Sequence, residues 1–359
     1  MGKADEERLN RALNSHLSDI HETYQILDQT PDSSLEKVGW DEVIKMGEQL
    51  SKQATMAGML WTREKPEVKA LEENMVAYFN KLQGLLLLSH GSTVGAGPTL
   101  SSNIHASIKQ VVDCSFILWR ESVSLYGSRN RKQKLTLPQL VGTIWDACSA
   151  LKKTPTTNIT AIGRAMTQVA VTMKDVLREM KELKPCSSGS TEEAESQLKE
   201  GDDSSDGDIE TNLSPEEMEI AHLAAEVVSE MLSVVKELIR SITGLLKRDN
   251  LGKNGDGIVN LEKLLKLCEG AGVEADELGA SLYPPQEFTI IIAATRKICS
   301  LINEMQRELD GIDGSTAAFL QACCGLKSAV DMLLLRTAET ENSSTGNLVP
   351  QMHNLSPKN

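Results

Sequence analysis

The stretch SPEEMEIAHLAAEVVSEMLSVVKELIRSITGLL, residues 214–246, decides the fold class. It opens as a strong helix start: Ser214 can accept from the first free amides, Pro215 suits the first helical position, and Glu217 can reach back to complete a capping box. Behind that cap Ile220, Ala224, Val227, Met231, Val234, Leu238, Ile242 and Leu245 recur at alternating steps of three and four residues. An apolar stripe sustained over about seven turns implies bundle or coiled-coil-like packing.

Immediately upstream the character of the chain inverts. Ser187 to Leu213 holds nine acidic residues, one lysine, six serines and no aromatic residue, so eight of the fourteen net negative charges fall in 27 residues. Such a segment cannot bury enough apolar surface to offset the entropy of ordering it, and residues 186–213 are expected to be a disordered linker. Within it Ser204 and Ser205 lie before Asp206 and Asp208, a setting that suits an acidophilic kinase as well as it suits an unmodified solvating tether.

Farther upstream, helix follows helix. Glu6–Leu27 carries Leu9, Leu13, His16, Ile20 and Tyr24 at helical spacing. A second segment, capped at Asp32 or Ser33, runs through Trp40, Val43, Met46, Leu50 and Ala54. A third follows Pro66 and ends at the Gly-rich loop 91–98; a fourth spans about Ser101–Tyr126; Pro138 opens a fifth, and a sixth runs from after Pro155 to Leu183. Gly, Pro or Ser/Thr/Asn clusters separate them. Downstream of residue 246, helices are expected from Asn260 to Cys268 and on toward Glu277, from Pro285 to Leu309, and from Ser315 to Thr337. The polar tail 339–359 has no stripe and is expected to be disordered. No segment alternates with the period of a strand. The expectation is therefore all-α: an N-terminal bundle (1–185), the acidic linker (186–213), a C-terminal bundle (214–338) and the tail.

Composition supports this. Aromatic residues make up only 3% of the 359, so the cores must be mainly aliphatic, which suits helix bundles better than β-sandwiches. A pI near 5 argues against broad attraction to nucleic acid or anionic membrane. Seven cysteines, an odd number without C-x-x-C spacing, behind a start that does not read as a signal peptide, point to reduced thiols in the cytosol or nucleus. Gly2 is not followed by Ser or Thr at position 6, so no lipid anchor is expected.

Candidate chemistry is sparse. Residues 252–263 resemble a calcium-binding loop, with Asn254, Asp256, Gly257 and Val259 in register, but Gly252 and Lys263 stand where the two anchoring carboxylates belong. The segment reads as a Gly/Asn-rich turn between helices. Six histidines form no metal-ligand spacing, and the glycines of 91–97 lack the strand and lysine of a phosphate loop. No catalytic, cofactor-binding or metal site is expected. Arg129, Arg131, Lys132 and Lys134 form a small basic cluster that is either a nuclear-import signal or a solvated loop after a helix C-terminus.

The segment Asp276–Pro285, DELGASLYPP, leading into Phe288 and another helix, is the most distinctive local sequence. Each proline fixes its φ, and Tyr283 is driven toward extended backbone by Pro284, so Ser281, Leu282, Tyr283, Pro284 and Pro285 form a rigid corner. This corner, the LTLPQLV stretch at 135–141, and the order of helical half, acidic middle and helical half resemble the cyclin-D-binding (GCIP-like, maternal Id-like) family. The resemblance implies helical bundles like those of vinculin and α-catenin. It also implies a non-enzymatic regulator, cytoplasmic and nuclear, that binds D-type cyclins and helix-loop-helix proteins and restrains cell-cycle progression by sequestration. Its helix-loop-helix description would map to 214–246, the 252–260 loop and 261–278. No basic region precedes the first of these helices, so no direct contact with DNA is expected. A vinculin-like cytoskeletal or adhesion scaffold is the alternative.

Overall fold

The computed structural model describes residues 2–32, 34–61, 66–127, 136–185, 212–245, 255–312 and 315–346. Ten α-helices account for nearly all of them: α1 (Gly2–Tyr24), α2 (Trp40–Met59), α3 (Val68–Ser92), α4 (Pro98–Gly127), α5 (Thr136–Ala150), α6 (Asn158–Glu182), α7 (Pro215–Leu245), α8 (Gly255–Ala280), α9 (Phe288–Asp310) and α10 (Ala317–Gly346). The protein is all-α, with one addition that the residue pattern did not signal. Lys184–Pro185 (β1) and Asn212–Leu213 (β2) form a two-residue parallel pair. The two ends of the acidic segment are thus fastened to each other, and Leu213, expected in the linker, is fully buried. Residues 186–211, with Ser204 and Ser205, and the basic cluster Arg129, Arg131, Lys132 and Lys134 lie outside the described residues.

Contacts divide the chain into two compact units, Met1–Ile162 with Gly252–Ile258, and Gly163–Leu251 with Val259–Asn359. The division falls inside α6 and not at residue 185, where composition changes. Most of α6, from Gly163 onward, therefore groups with the C-terminal helices.

In the first unit α1 lies against α3 and α4, α2 against α3 and α5, and α4 against α5, closing a five-helix ring. Nine of the protein's twelve Phe, Trp and Tyr side chains belong to this unit. At its centre Tyr78 and Phe79 meet Trp119 with ring centroids 5.5 and 6.0 Å apart, a geometry that adds to simple burial. The Tyr78 hydroxyl shares a 2.7 Å hydrogen bond with Ser115, so the phenol is satisfied although fully buried. The connection after α3 is a turn with Gly95 at φ +70°, and Asn158 spans it by accepting from the Gly97 amide and donating to the Gly95 carbonyl. Helix α2 begins at Trp40 and not at Asp32. The Asp32 carboxylate is engaged locally by the Ser34 amide at 2.8 Å, and Trp40 is fixed by its indole N–H donating to the Leu151 carbonyl.

In the second unit the capping box forms as its residues dictate. The Ser214 amide donates to the Glu217 carboxylate at 2.8 Å, and the Glu217 amide donates to Ser214 Oγ at 3.2 Å. Ile220, Val227, Val228, Met231, Val234, Val235, Leu238 and Ile242 behind it are all fully buried. Helix α10 packs on α7 and α9, and Arg336 pairs with Glu219 of α7 at 2.7 Å. Helices α8 and α9 are joined by Lys263–Glu308 and Lys297–Glu274, the latter carboxylate almost wholly buried. Helix α6 seats on α8 at two glycines seven residues apart. A Cβ at Gly272 would stand 3.0 Å from Val169, and one at Gly279 only 2.9 Å from Val176.

Two boundary expectations are corrected. Helix α8 starts at Gly255, so Gly255–Lys263 is helical backbone and not a turn between helices, while Gly252 and Asn254 lie outside the described residues. Helix α10 continues past Glu339 to Gly346, extending into the segment expected to be a disordered tail. Propagation needs only one hydrogen bond per added residue, and neither Gly nor Pro interrupts residues 339–345.

Candidate functional site

The Tyr-Pro-Pro corner closes one end of the second unit. Helix α8 terminates by Ser281 donating from its amide to the Glu277 carbonyl and from Oγ to the Leu278 carbonyl at 2.8 Å. Leu282 turns inward and is fully buried, while Tyr283 turns outward and is 47% exposed. The Pro284–Pro285 peptide is cis. The next residue, Gln286, is nine-tenths buried, and its amide N–H donates to the Glu217 carbonyl of α7 at 2.9 Å and to the Leu282 carbonyl at 3.3 Å. The corner is thereby tied to the first turn of α7, the turn that carries the capping box and follows β2.

Beside the corner is a cavity of about 210 Å³. Val176, Met180 and Leu183 of the α6 end supply one wall, Gly279 and Ala280 of α8 the other, and Tyr283 the lip; the carboxylates of Glu179 and Asp276 stand at its edge. The absent side chain at Gly279 lets the α6 and α8 backbones approach at this point. An apolar floor, an acidic edge and a half-exposed Tyr that costs little conformational entropy to fix are the ingredients of a protein-binding patch.

Among the described residues no group of three or more His, Cys, Asp or Glu side chains is placed to hold a metal ion. The six described cysteines are unbonded. Burial pushes the Cys268 thiol up to about 12 and Cys323 up to about 11, and raises Cys114 and Cys148, so these thiols stay protonated and poorly nucleophilic. Of the adjacent Cys323 and Cys324, the first is buried and the second exposed.

Comparison with known proteins gives the same family for both halves of the chain. Residues 42–186 match "Grap2 and cyclin-D-interacting, N-terminal", and residues 198–307 match "Grap2 and cyclin-D-interacting, C-terminal". The chain belongs to the Grap2- and cyclin-D-interacting family. A relative from Xenopus laevis, cyclin-D1-binding protein 1 homolog, is 22% identical over 212 residues, covering 58% of this chain. The chain spans about 60% of the length of that curated relative. The family's two sequence modules meet near the acidic segment, so α6 belongs to the N-terminal module by sequence and to the C-terminal unit by packing.

The structure brings Ser281, Leu282, Tyr283, Pro284 and Pro285 together with residues that residue patterns did not single out: Val176, Glu179, Met180 and Leu183 of the α6 end, and Gln286. The glycines 272 and 279, one heptad apart on α8, were the available signal for a close-packed neighbour.

Proposed function

We propose that this chain is a non-enzymatic interaction protein that binds D-type cyclins and captures helix-loop-helix proteins, restraining cell-cycle progression by sequestration in the cytoplasm and nucleus. The observation that carries the reading is membership, through both halves, of a family described as cyclin-D-interacting, together with the name of the Xenopus relative.

The fold limits how a partner binds. Offering the α7 stripe to another helix, zipper fashion, would expose eight fully buried large side chains. At about 1.5–3 kcal/mol each that costs about 12–24 kcal/mol, more than the whole stability of an ordinary domain at about 5–15 kcal/mol. Partners therefore dock on the preformed bundle, and the corner around Tyr283 is the patch we assign to the cyclin.

Calorimetric titration of the full chain with a purified D-type cyclin tests this. Saturable binding is expected, weakened about tenfold by Tyr283→Ala, a half-exposed position whose truncation leaves the fold intact. Absence of heat at tens of micromolar cyclin would sink the cyclin reading. Capture of actin- or junction-associated proteins by the same chain would then favour an adhesion scaffold. Cyclin binding untouched by Tyr283→Ala would move the site elsewhere without touching the function.

A further inference from the structure

In the second unit a strongly apolar groove of about 360 Å³ lies between α6 and α7, away from the Tyr-Pro-Pro corner. Its floor is Ala170 and Val171 of α6 and Leu232 and Ile239 of α7; Val171 is 47% exposed. Its rim is cationic: Lys174 on one wall, Lys236 and Arg240 on the other. Arg240 is itself paired with Glu237, three residues earlier on α7. On α6 the same face continues to Arg164 and to Arg178, which pairs with Asp175. A chain of net charge −14 thus places three cationic side chains around this apolar groove.

Three properties define what fits. The apolar floor along α7, from Leu232 to Ile239, is seven residues long, about 10 Å, which matches side chains at i and i+7 of a docked helix. Both walls are helices whose backbone amides and carbonyls are engaged internally, so no edge is available to add a strand, and the helix-in-groove mode is the one left. Cations on both walls select carboxylates flanking the apolar stripe, because like charges held across an interface cost several kcal/mol.

We propose that the α6–α7 groove is a docking site for an acidic amphipathic helix of a partner protein, one that presents apolar residues at i, i+3/i+4 and i+7 between rows of Asp or Glu. This is independent of the cyclin reading, which rests on the corner. The chain's own acidic segment supplies carboxylates but not the stripe: between residues 186 and 211 its apolar residues besides Cys186 are Ala194, Leu198 and Ile209, with Gly201 and Gly207 between the last two.

The test is fluorescence anisotropy with the full chain and a labelled 18-residue helical peptide carrying Leu at i, i+3 and i+7 and Glu on both flanks. Saturable binding is expected, weakened at least tenfold by the double reversal Lys236→Glu/Arg240→Glu and by Val171→Asp. It should also be lost when the peptide's Glu residues become Lys, and fall as salt rises. The altered side chains are exposed or half-exposed, and unchanged far-UV circular dichroism of each variant verifies that the fold is kept. The proposal is overturned if the acidic peptide does not saturate, if the basic peptide binds equally, or if neither groove variant weakens binding. Binding only to a chain whose nine carboxylates between 192 and 210 are changed to Asn or Gln would assign the groove to the chain's own acidic segment. Self-association of the unliganded chain that the double reversal abolishes would assign it to a second copy. Either of these also overturns the proposal.

Discussion

Gly279→Ala places one methyl group where α6 and α8 meet. The new Cβ would stand 2.9 Å from Val176 Cγ1 and 3.7 Å from Met180 Cγ. Carbon pairs rest near 3.5–4.0 Å, so the neighbours must yield by roughly 0.6–1 Å. Met180 can swing away, but the Val176 branch is stiff at χ1, and the helix itself must shift. Overpacking of this kind costs about 1–3 kcal/mol, against a gain of at most about 1 kcal/mol from replacing a helical glycine. Gly270→Ala, on the same helix, meets Leu301 at an ordinary 3.5 Å and collects only the gain. The two variants therefore differ by about 1–3 kcal/mol, which at about 2–4 °C per kcal/mol for a unit of this size puts the Gly279→Ala melt about 2–12 °C below that of Gly270→Ala. Adding Val176→Ala to Gly279→Ala removes the obstruction, and the double-mutant cycle should show a favourable coupling of about 1–2 kcal/mol. The four tryptophans all lie in the first unit, so far-UV circular dichroism and hydrogen exchange of α6 peptides are the appropriate readouts. Equal melting of the two glycine variants, or a cycle without coupling, would refute the docking of α6 on α8.

Removing the α7 cap with Ser214→Ala should lower stability in urea by about 0.5–2 kcal/mol, since the Glu217 amide loses its acceptor. Lys297→Met leaves the buried Glu274 carboxylate without its cation and should cost about 1–3 kcal/mol, whereas Glu274→Gln/Lys297→Met should recover part of that loss; chemical denaturation of the three variants decides. His16 stacks on Phe79 with ring centroids 5.1 Å apart, and burial lowers its pKa from the ordinary 6.5 against the opposing pull of Asp19. A histidine whose folded value is depressed lets the unfolded chain take up its proton first as pH falls. Its contribution to stability is therefore complete above pH 6.5 and is lost as pH falls through the folded value. Tryptophan-monitored urea titrations at pH 7.5 and 5 should show a smaller pH difference in His16→Gln than in the parent chain.

The helices were legible because each carries its own punctuation and stripe. The Ser214–Glu217 box formed with the partners its spacing dictated, and the α7 stripe is buried from Ile220 to Ile242 as its period required. Boundaries without such devices were less legible. Trp40 begins α2 with no side-chain cap, and α10 runs on beyond its apolar stripe because propagation needs no burial. The corner 281–285 was visible as two prolines behind a tyrosine, but its surroundings were not. Val176, Met180 and Gln286 lie far from it in sequence or look unremarkable beside it, and nothing local says that Gln286 reaches the Glu217 carbonyl.

By itself the amino-acid sequence determined the helical class and the acidic break after α6, because capping and periodicity act over a few residues, while the Tyr-Pro-Pro corner pointed to the family by resemblance. Only the tertiary structure decided that α6, written before the break, completes the bundle formed after it. That choice depends on Gly272 and Gly279 of α8 meeting Val169 and Val176 more than a hundred positions away, and on a two-residue strand pair fastening the two ends of the acidic segment together. Side-chain periodicity specifies that a face must be covered; the shape of the covering face selects by which helix.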